Sequence, residues 1–312
     1  MKDLPENQLD FPVEKGEFVR WESQFRNWIT ADGSAGPSGI AGFKAEAGRY
    51  HLYVSYACPW AHRTLIYREL KQLQNLVTVS VVNPKMGESS WDFDSYPGAT
   101  GDTLYQSKML HDIYIQANPR FDGVVTVPVL WDKQNKTIVN NESSEIIRMF
   151  NDAFVEFAPD CEDFYPIEKQ DEIDAVNQFV YDNINNGVYK AGFAKTQVAY
   201  EKAFDNLFSA LDEMEKRLDK SAFLVGDKIT EADWRLFPTL VRFDPVYVGH
   251  FKCNLRRIAD YPNLNRYLKD LYHYPKIADT VNMDHIKTHY YWSHTSINPS
   301  RIIPKGPEIE YK

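Results

Sequence analysis

One cysteine, Cys58, stands where this sequence can make a reactive thiol. The stretch Tyr50–Tyr56 before it is rich in β-branched and aromatic residues, which is typical of a strand. After Pro59 the apolar residues recur at helical spacing, and proline is favoured at the first helical position. The pattern predicts that Cys58 lies at a helix N-terminus, where free N–H groups and the helix dipole stabilise a thiolate nucleophile. The alternative is a buried structural cysteine in a strand-to-helix turn.

Energies limit how far the helix dipole alone can activate Cys58. A dipole contributes about 0.3–1 kcal/mol, or about 2 kcal/mol in a favourable geometry, which lowers a thiol pKa near 8.5 by about one unit. Further hydroxyl or amide donors from elsewhere in the chain are therefore expected near the sulfur. Ala61 stands where a Cys-x-x-Cys motif would have its second cysteine. A mixed disulfide on Cys58 therefore has to be released by an external thiol, for which glutathione is the expected choice.

The composition excludes several classes of protein. The 312 residues are enough for two domains, and a net charge of −9 without a basic run argues against nucleic acid or an anionic membrane as partner. The spacings of Cys58, Cys161 and Cys253 suggest neither a disulfide framework nor a zinc site, and the last two cysteines receive no role. No run of about 18 apolar residues exists, and the polar Met1–Asp10 does not read as a signal peptide. A reducing, cytoplasmic location is expected.

The residues after the first helix predict an α/β half. Leu76–Val82 is apolar and β-branched, which predicts a second, parallel strand and a βαβ unit. Residues 84–123 are longer than an ordinary connection, with a helix predicted from about Thr103 to Ala117. Trp91 lies in this connection, where it either covers a ligand or anchors the loop.

Two further segments of this half suit a peptide-like ligand. Strands are predicted at Thr126–Asp132 and Thr137–Val139, and a proline inside a strand is explained by a cis Val127–Pro128 bond that leaves the Val127 backbone free to pair with a ligand. Glu142 and Ser143 precede a helix predicted at Ile146–Phe154. They either cap this helix or hold the charged head group of an amino acid.

The remaining chain predicts an extension, a helical half and a tail. Trp21, Phe25 and Trp28 are spaced i, i+4, i+7, which predicts a short amphipathic helix that docks on the body. The predicted boundaries are an extension at 1–45, an α/β domain at 46–155, a linker at 156–166, a helical domain at 167–297 and an irregular tail at 298–312. Helices of the second domain are predicted near Glu168–Asn186, Thr196–Leu218, Thr230–Tyr247, Asn263–Tyr272 and Pro275–Val281.

Several long motifs together resemble one family. The chain is similar to the glutathione transferases, and within them to the glutathionyl-hydroquinone reductases, the xi class. The resemblance covers about residues 15–300. It is carried by Cys58–Ala61, Phe93–Tyr105, Thr126–Asp132, Asn141–Ser143, Asn186–Ala194, Leu240–Tyr247 and His285–Tyr291.

The resemblance implies a fold and an activity. The fold is a thioredoxin-like α/β N-terminal domain followed by an all-α glutathione-transferase C-terminal domain, assembled as a homodimer. The implied activity is the reduction of glutathionyl-hydroquinones to hydroquinones, with glutathione as co-substrate and no bound cofactor. An omega-like thioltransferase or dehydroascorbate reductase, and a non-catalytic transferase-like interaction module, are the alternatives.

The resemblance also implies roles for individual residues. Cys58 is the nucleophile, Tyr189 a proton donor or acceptor, and Tyr247 and Tyr290 lower the cysteine pKa or hold the hydroquinone. The implied glutathione contacts are Trp91, Val124, Val125, Thr126, Val127, Glu142 and Ser143. Family members often carry arginine where this chain has Val124, so the hold on a glutathione carboxylate is weakened unless the backbone makes that contact. His285 and His289 are spaced i, i+4, yet no Cys or Glu completes a metal site, and we expect the pair to pack or cap.

Overall fold

The computed structural model describes residues 13–87, 90–309 and 311. The polar N-terminus Met1–Asp10 therefore lies outside the described residues. The chain forms two compact units. The described parts of residues 21–163 and 280–289 make up the first unit, and those of 11–20, 164–279 and 290–312 make up the second.

The first unit is built around a four-stranded sheet. Its elements are β3 Tyr50–Val54, α1 Pro59–Leu70, β4 Val77–Val81, α2 Leu110–Ala117, β5 Val129–Asp132, β6 Thr137–Asn140 and α3 Ser143–Asp152. The strand order is β4-β3-β5-β6. Strand β3 pairs in parallel with β4 and antiparallel with β5, which pairs antiparallel with β6. Helix α1 connects β3 to β4 and packs against α3, so the predicted βαβ unit and thioredoxin-like domain are confirmed.

All five residues of β3 are buried, so the strand runs through the core of the unit. One of them is polar. His51 forms hydrogen bonds through Nδ1 with Thr78 Oγ1 at 2.7 Å and through Nε2 with Ser80 Oγ at 2.9 Å. Both partners lie on β4, so a buried imidazole links the two parallel strands of the sheet.

The helix predicted from the spacing of Trp21, Phe25 and Trp28 is wrong. This segment is extended and lies along β6, the edge of the sheet. Asn27 N donates to Val139 O at 2.9 Å, and Asn141 N donates to Phe25 O at 3.1 Å. The segment covers the open edge of the sheet, and this pairing rather than the spacing of its apolar residues decides its backbone.

Three element boundaries of the first unit also differ from prediction. The helix expected from Thr103 begins only at Leu110, because the Asp102 carboxylate accepts N–H groups of Leu104, Tyr105 and Ser107 and closes a turn instead. The strand expected from Thr126 begins after Pro128, at Val129. The helix expected at Ile146–Phe154 begins and ends earlier, as α3, because Glu142 caps it.

The second unit is helical, as predicted, and it begins with a short hairpin. The elements are β1 Val13–Glu14, β2 Glu17–Phe18, α4 Gln170–Val180, α5 Gly187–Gly192, α6 Gln197–Leu218, α7 Glu231–Arg242 and α8 Pro262–Tyr272. The helix expected at Pro275–Val281 is wrong, since Lys276 has φ +70° and only a 3₁₀ turn forms at Ala278–Thr280. The tail beyond residue 300 has neither helix nor strand in its described part, as predicted.

In the described part of the chain, two π-helical segments interrupt expected helices and a third lies outside them. The prediction Glu168–Asn186 divides into a 3₁₀ turn, α4 and the π-helical segment Tyr181–Asn185. The prediction Thr230–Tyr247 divides into α7, capped by Thr230 as predicted, and the π-helical segment Phe243–Tyr247. A third π-helical segment, His289–Ser293, continues the short helix α9 Met283–Thr288, which the sequence did not predict. Among the described residues, no helix is both long and apolar enough to cross a membrane.

Candidate active site

Cys58 caps helix α1, as predicted. Its backbone is extended at φ −73° and ψ 122°, and its side chain accepts the N–H of Ala61 at 3.5 Å. Pro59 occupies the first turn, where the lack of an N–H costs nothing. The Cys58 side chain is half-buried and its Sγ donates to Val127 O at 3.4 Å. The thiol therefore lies between a helix N-terminus and the backbone that precedes Pro128.

The backbone beside Cys58 is irregular and firmly held. The Val127–Pro128 bond is cis, which confirms the prediction. In the described part of the chain, the N–H of Val127 has no hydrogen-bond partner. The preceding residue is fixed by a buried phenol, since Tyr114 OH donates to Thr126 O at 2.8 Å and accepts Thr126 N at 3.2 Å. Val125 is buried and Val124 only partly so.

Glu142 is the N-cap of α3. Its Oε1 accepts Ser144 N at 3.0 Å and Ser144 Oγ at 2.9 Å, and its Oε2 accepts Ser23 Oγ at 3.1 Å. Burial by itself raises the pKa of Glu142, but the hydrogen bonds from Ser144 and Ser23 and the charge of Arg63 bring it below the ordinary value. The predicted capping role is therefore confirmed. The carboxylate is also held in its charged form, which a ligand ammonium requires.

Ser143, the first residue of α3, is buried beside this cap, with its Oγ 3.5 Å from Glu142 Oε1. Asn141 ties the same turn to the irregular backbone, because its Nδ2 donates to Tyr114 OH at 3.3 Å. One polar network thus holds Thr126 and the start of α3 together.

Trp91 is 6% exposed and anchors its loop. Its indole stacks on the His289 imidazole, with ring centroids 4.7 Å apart and an angle of 25° between the planes. His289 Nδ1 lies 3.1 Å from Pro84 O, so this nitrogen carries the proton and donates it. Trp91 O accepts Leu110 N at 3.0 Å. Of the two roles predicted for Trp91, anchoring is confirmed and the contact with glutathione stays a prediction.

His285 and His289 pack against the loop, as predicted. His285 Nε2 donates to Pro97 O at 2.7 Å, and its ring meets those of Tyr56 and Tyr96 edge to face. Among the described residues, no group of three or more His, Cys, Asp or Glu side chains is arranged to hold a metal ion.

The second unit brings the three predicted tyrosines together. Tyr290 OH lies 2.6 Å from Tyr189 OH and 3.1 Å from Tyr247 OH, and all three side chains are buried. Burial raises the pKa values of Tyr247 and Tyr290 well above that of an ordinary phenol, so both stay neutral at neutral pH. Neutral phenols are hydrogen-bond donors, and these three form a single row that we call the tyrosine cluster.

The π-helical segments supply this cluster. Tyr247 is the last residue of one segment and Tyr290 the second residue of another. Tyr189 lies in α5, three residues after Asn186, which follows the segment Tyr181–Asn185. π-Helical turns are rare and occur preferentially at functional sites. Two of the three tyrosines lie in such segments and Tyr189 shortly follows one, which supports a functional role for the cluster.

Sequence reasoning missed the residues that support the predicted ones. Tyr114 and Asn141 hold Thr126, and His289 backs Trp91. Each supporting residue is remote in sequence from the residue that it holds, or lies in another element, so no local spacing predicts it. The His285–Tyr291 motif was the only signal, and the prediction that its histidines pack or cap did not identify Trp91 as a partner.

Comparisons with known proteins fit both units. The family model for the glutathione S-transferase N-terminal domain matches residues 57–153, and that for the C-terminal domain matches residues 197–270. The glutathionyl-hydroquinone reductase YqjG of Escherichia coli is 58% identical over 94% of this chain and 89% of its own length. The glutathione transferase Xi of Phanerochaete chrysosporium is 53% identical, and its crystal structure superposes with a TM-score of 0.92 over 98% of each chain. The chain belongs to the xi class of glutathione transferases.

Two other comparisons bear on the xi-class site. The glutathione-bound structure of YqjG from Escherichia coli superposes with a TM-score of 0.91 and covers 92% of this chain and 94% of its own. A protein of Schizosaccharomyces pombe named glutathione S-transferase omega-like 2 is 50% identical over 97% of each chain. The resemblance drawn from the motifs and the order of an α/β and an all-α domain are thus confirmed.

Proposed function

We propose that this xi-class chain is an enzyme that reduces glutathionyl-hydroquinones to hydroquinones at the expense of glutathione. One observation carries the proposal: Cys58 caps a helix as a lone thiol, with Ala61 where a resolving cysteine would stand. The chain is 58% identical to a relative named glutathionyl-hydroquinone reductase, which supports the choice of substrate.

The proposed reaction has two steps. The Cys58 thiolate attacks the sulfur that joins glutathione to the hydroquinone ring, so a sulfur–sulfur bond forms and the carbon–sulfur bond breaks. The electron pair of the broken bond stays on the ring carbon, which takes a proton from Tyr189. A second glutathione, as its thiolate, attacks the mixed disulfide and leaves as glutathione disulfide, and the released proton restores the phenol. In sum, glutathionyl-hydroquinone and glutathione give hydroquinone and glutathione disulfide.

Glutathione is held, in this proposal, by the first unit. The free N–H of Val127 and its carbonyl pair with the peptide backbone of glutathione. The charged Glu142 carboxylate takes the ammonium group, and the N–H groups at the start of α3, with Ser143, take the carboxylate. Val124, Val125, Thr126 and Trp91 complete the proposed contacts. Since Val124 carries no cation, any contact it makes is through the backbone.

In this proposal Tyr247 and Tyr290 donate hydrogen bonds as neutral phenols, either to the thiolate or to the hydroquinone oxygens. Their raised pKa values support donation over the neutral range. The proposed enzyme needs no bound cofactor.

Replacing the sulfur of Cys58 tests the proposal. Cys58→Ala should abolish release of hydroquinone from a glutathionyl-hydroquinone, because the nucleophile is gone, while the melting temperature changes little. Mass spectrometry of the parent protein after one turnover without free glutathione should find one glutathione on Cys58 and none on Cys161 or Cys253. Turnover by Cys58→Ala near the parent rate would contradict the proposal.

The omega-like relative favours one other candidate, a thioltransferase or dehydroascorbate reductase. Both activities use a lone thiol, so they are distinguished by substrate. We expect the ratio kcat/KM to be at least tenfold higher with a glutathionyl-hydroquinone than with dehydroascorbate, and the reverse order would select the alternative.

Assembly and location complete the proposal. We propose a homodimer of the 36.2 kDa chain in the cytoplasm. Light scattering on the purified protein should give twice the mass of one chain, and the mass of a single chain would contradict the dimer.

A further inference from the structure

The carbonyl of Val241 cannot accept the usual α-helical hydrogen bond. In an α-helix each carbonyl accepts the N–H of the residue four positions ahead. For Val241 that position is Pro245, which has no N–H. Val241 is buried in the last turn of α7, so an unpaired carbonyl there would be costly.

The C-terminal tail supplies the missing donor. Tyr311 OH donates to Val241 O at 3.0 Å. The ring of Tyr311 stacks on that of Tyr272, with centroids 4.4 Å apart and 30° between the planes. His273 Nε2 lies 2.6 Å from Tyr311 O and donates to it. Burial raises the pKa of the Tyr311 phenol, so it keeps its proton at neutral pH.

The bond lies at the point where α7 changes its pitch. The π-helical segment Phe243–Tyr247 begins two residues after Val241, and it ends on Tyr247 of the tyrosine cluster. Two other contacts hold the same turn: the Asp244 carboxylate accepts the N–H of Ile258 at 2.6 Å, and Pro245 O accepts Tyr291 OH at 3.3 Å. The π-helical turn is therefore fixed from outside, and Tyr311 is the contact at its start.

We propose that Tyr311 is a positioning residue for the tyrosine cluster, completing the hydrogen bonding at the start of the π-helical turn and so fixing where the Tyr247 hydroxyl lies. The tail is then part of the catalytic apparatus although it touches none of the three phenols. The inference rests on the proposed function where the test measures kcat.

The variant Tyr311→Phe removes the hydroxyl and keeps the ring that stacks on Tyr272. Because one buried hydrogen bond is lost, kcat for the glutathionyl-hydroquinone should fall about three- to tenfold while KM for glutathione stays unchanged. Tyr50→Phe is the matched control, since Tyr50 OH donates to Lys44 O at 2.6 Å in the first unit. It should lower the melting temperature similarly and leave kcat at the parent value.

A second variant isolates the cause. Pro245→Ala restores an N–H four residues after Val241, so adding Tyr311→Phe on that background should change kcat less than it does in the parent. A parent-like kcat in Tyr311→Phe, a fall matched by Tyr50→Phe, or an undiminished effect on the Pro245→Ala background would overturn the inference.

A measurement without substrate distinguishes failure of the positioning role from failure of the proposed function. Fluorotyrosine placed at position 247 reports its surroundings by fluorine NMR. Its signal should shift in Tyr311→Phe and not in Tyr50→Phe, even if the parent protein does not turn over glutathionyl-hydroquinones. An unshifted signal in both variants would overturn the positioning role itself.

Discussion

The three hydroxyls of the tyrosine cluster are not equivalent. Tyr290 lies between the other two, and each phenol carries one proton and can accept another hydrogen bond. Tyr290 therefore hydrogen-bonds to both of the other phenols. The 2.6 Å separation of Tyr189 and Tyr290 is shorter than the 3.1 Å separation of Tyr247 and Tyr290, so the first pair is the tighter one.

This order leads to a prediction for single phenylalanine variants. Tyr290→Phe removes both internal bonds, whereas Tyr247→Phe leaves the tighter pair intact. We expect Tyr290→Phe to destabilise the protein by about 1–3 kcal/mol more than Tyr247→Phe, since it leaves two buried hydroxyls without their partner, and to lower kcat further.

Urea unfolding and steady-state turnover of both variants measure these effects. Tyr200→Phe serves as control, because its hydroxyl donates to Lys252 O at an exposed position. Equal losses in Tyr247→Phe and Tyr290→Phe would contradict the central position of Tyr290.

Helix α9 acts on the candidate glutathione site through the residue that follows it. His289 stacks on Trp91 and is oriented by its bond to Pro84 O. The stack and that bond make two separable contributions: a flat ring behind the indole, and the orientation of that ring.

Two substitutions at position 289 separate these contributions. His289→Ala removes both, and we expect KM for glutathione to rise several-fold with kcat nearly unchanged, because Trp91 loses its support. His289→Phe keeps a flat ring and should raise KM less. Initial rates give both constants, and Trp fluorescence reports the indole. A fall in kcat at constant KM in both variants would contradict this role.

Elements were predictable where one residue decides the local conformation. Pro59 sets the first turn of α1, Thr230 caps α7, and Glu142 caps α3, and each signal lies within a few residues of its effect. The cis Val127–Pro128 bond was predictable for the same reason, since proline is the residue that permits it.

Other elements depend on partners that the local sequence does not name. The spacing of Trp21, Phe25 and Trp28 fits a helix, but pairing with β6 decides their backbone. No residue type in the sequence marks where a π-helical segment forms. α5 and α9 have six residues each, too few for a helical period to be recognised. In the candidate site, the position of Cys58 at the start of α1 and the capping residues were therefore predictable, whereas the supports Tyr114, Asn141 and His289 were not.

For the molecule as a whole, lowering the pH most directly tests how the buried polar groups contribute to stability. Burial lowers the pKa of His51 to about 3, so it is neutral in the folded protein down to that pH. The unfolded chain takes up this proton near pH 6.5, so the stability that neutral His51 provides is complete above about 6.5 and is lost as the pH falls toward about 3. The Glu142 carboxylate, whose pKa is also lowered, adds to the loss below about pH 4.5.

The expected slope is about 1.4 kcal/mol per pH unit from His51 alone between about pH 6 and pH 4. Denaturant unfolding at several pH values measures it. His51→Gln should reduce the difference in bound protons between the unfolded and the folded protein by about one. An unchanged slope in His51→Gln would mean that another group takes up the proton.

The three π-helical segments make the protein unequally tolerant to different kinds of mutation. A π-helical turn contains one residue more than the α-helical turn it replaces, and one residue corresponds to about 100° of rotation around a helix. Deleting one residue from Tyr181–Asn185, or one that precedes Tyr247 in Phe243–Tyr247, would restore a regular helix. It would rotate the tyrosine that follows the deletion, Tyr189 or Tyr247, away from its neighbours. These turns should therefore accept many substitutions but no insertion or deletion. An alignment of related chains should show different residues there but no gaps.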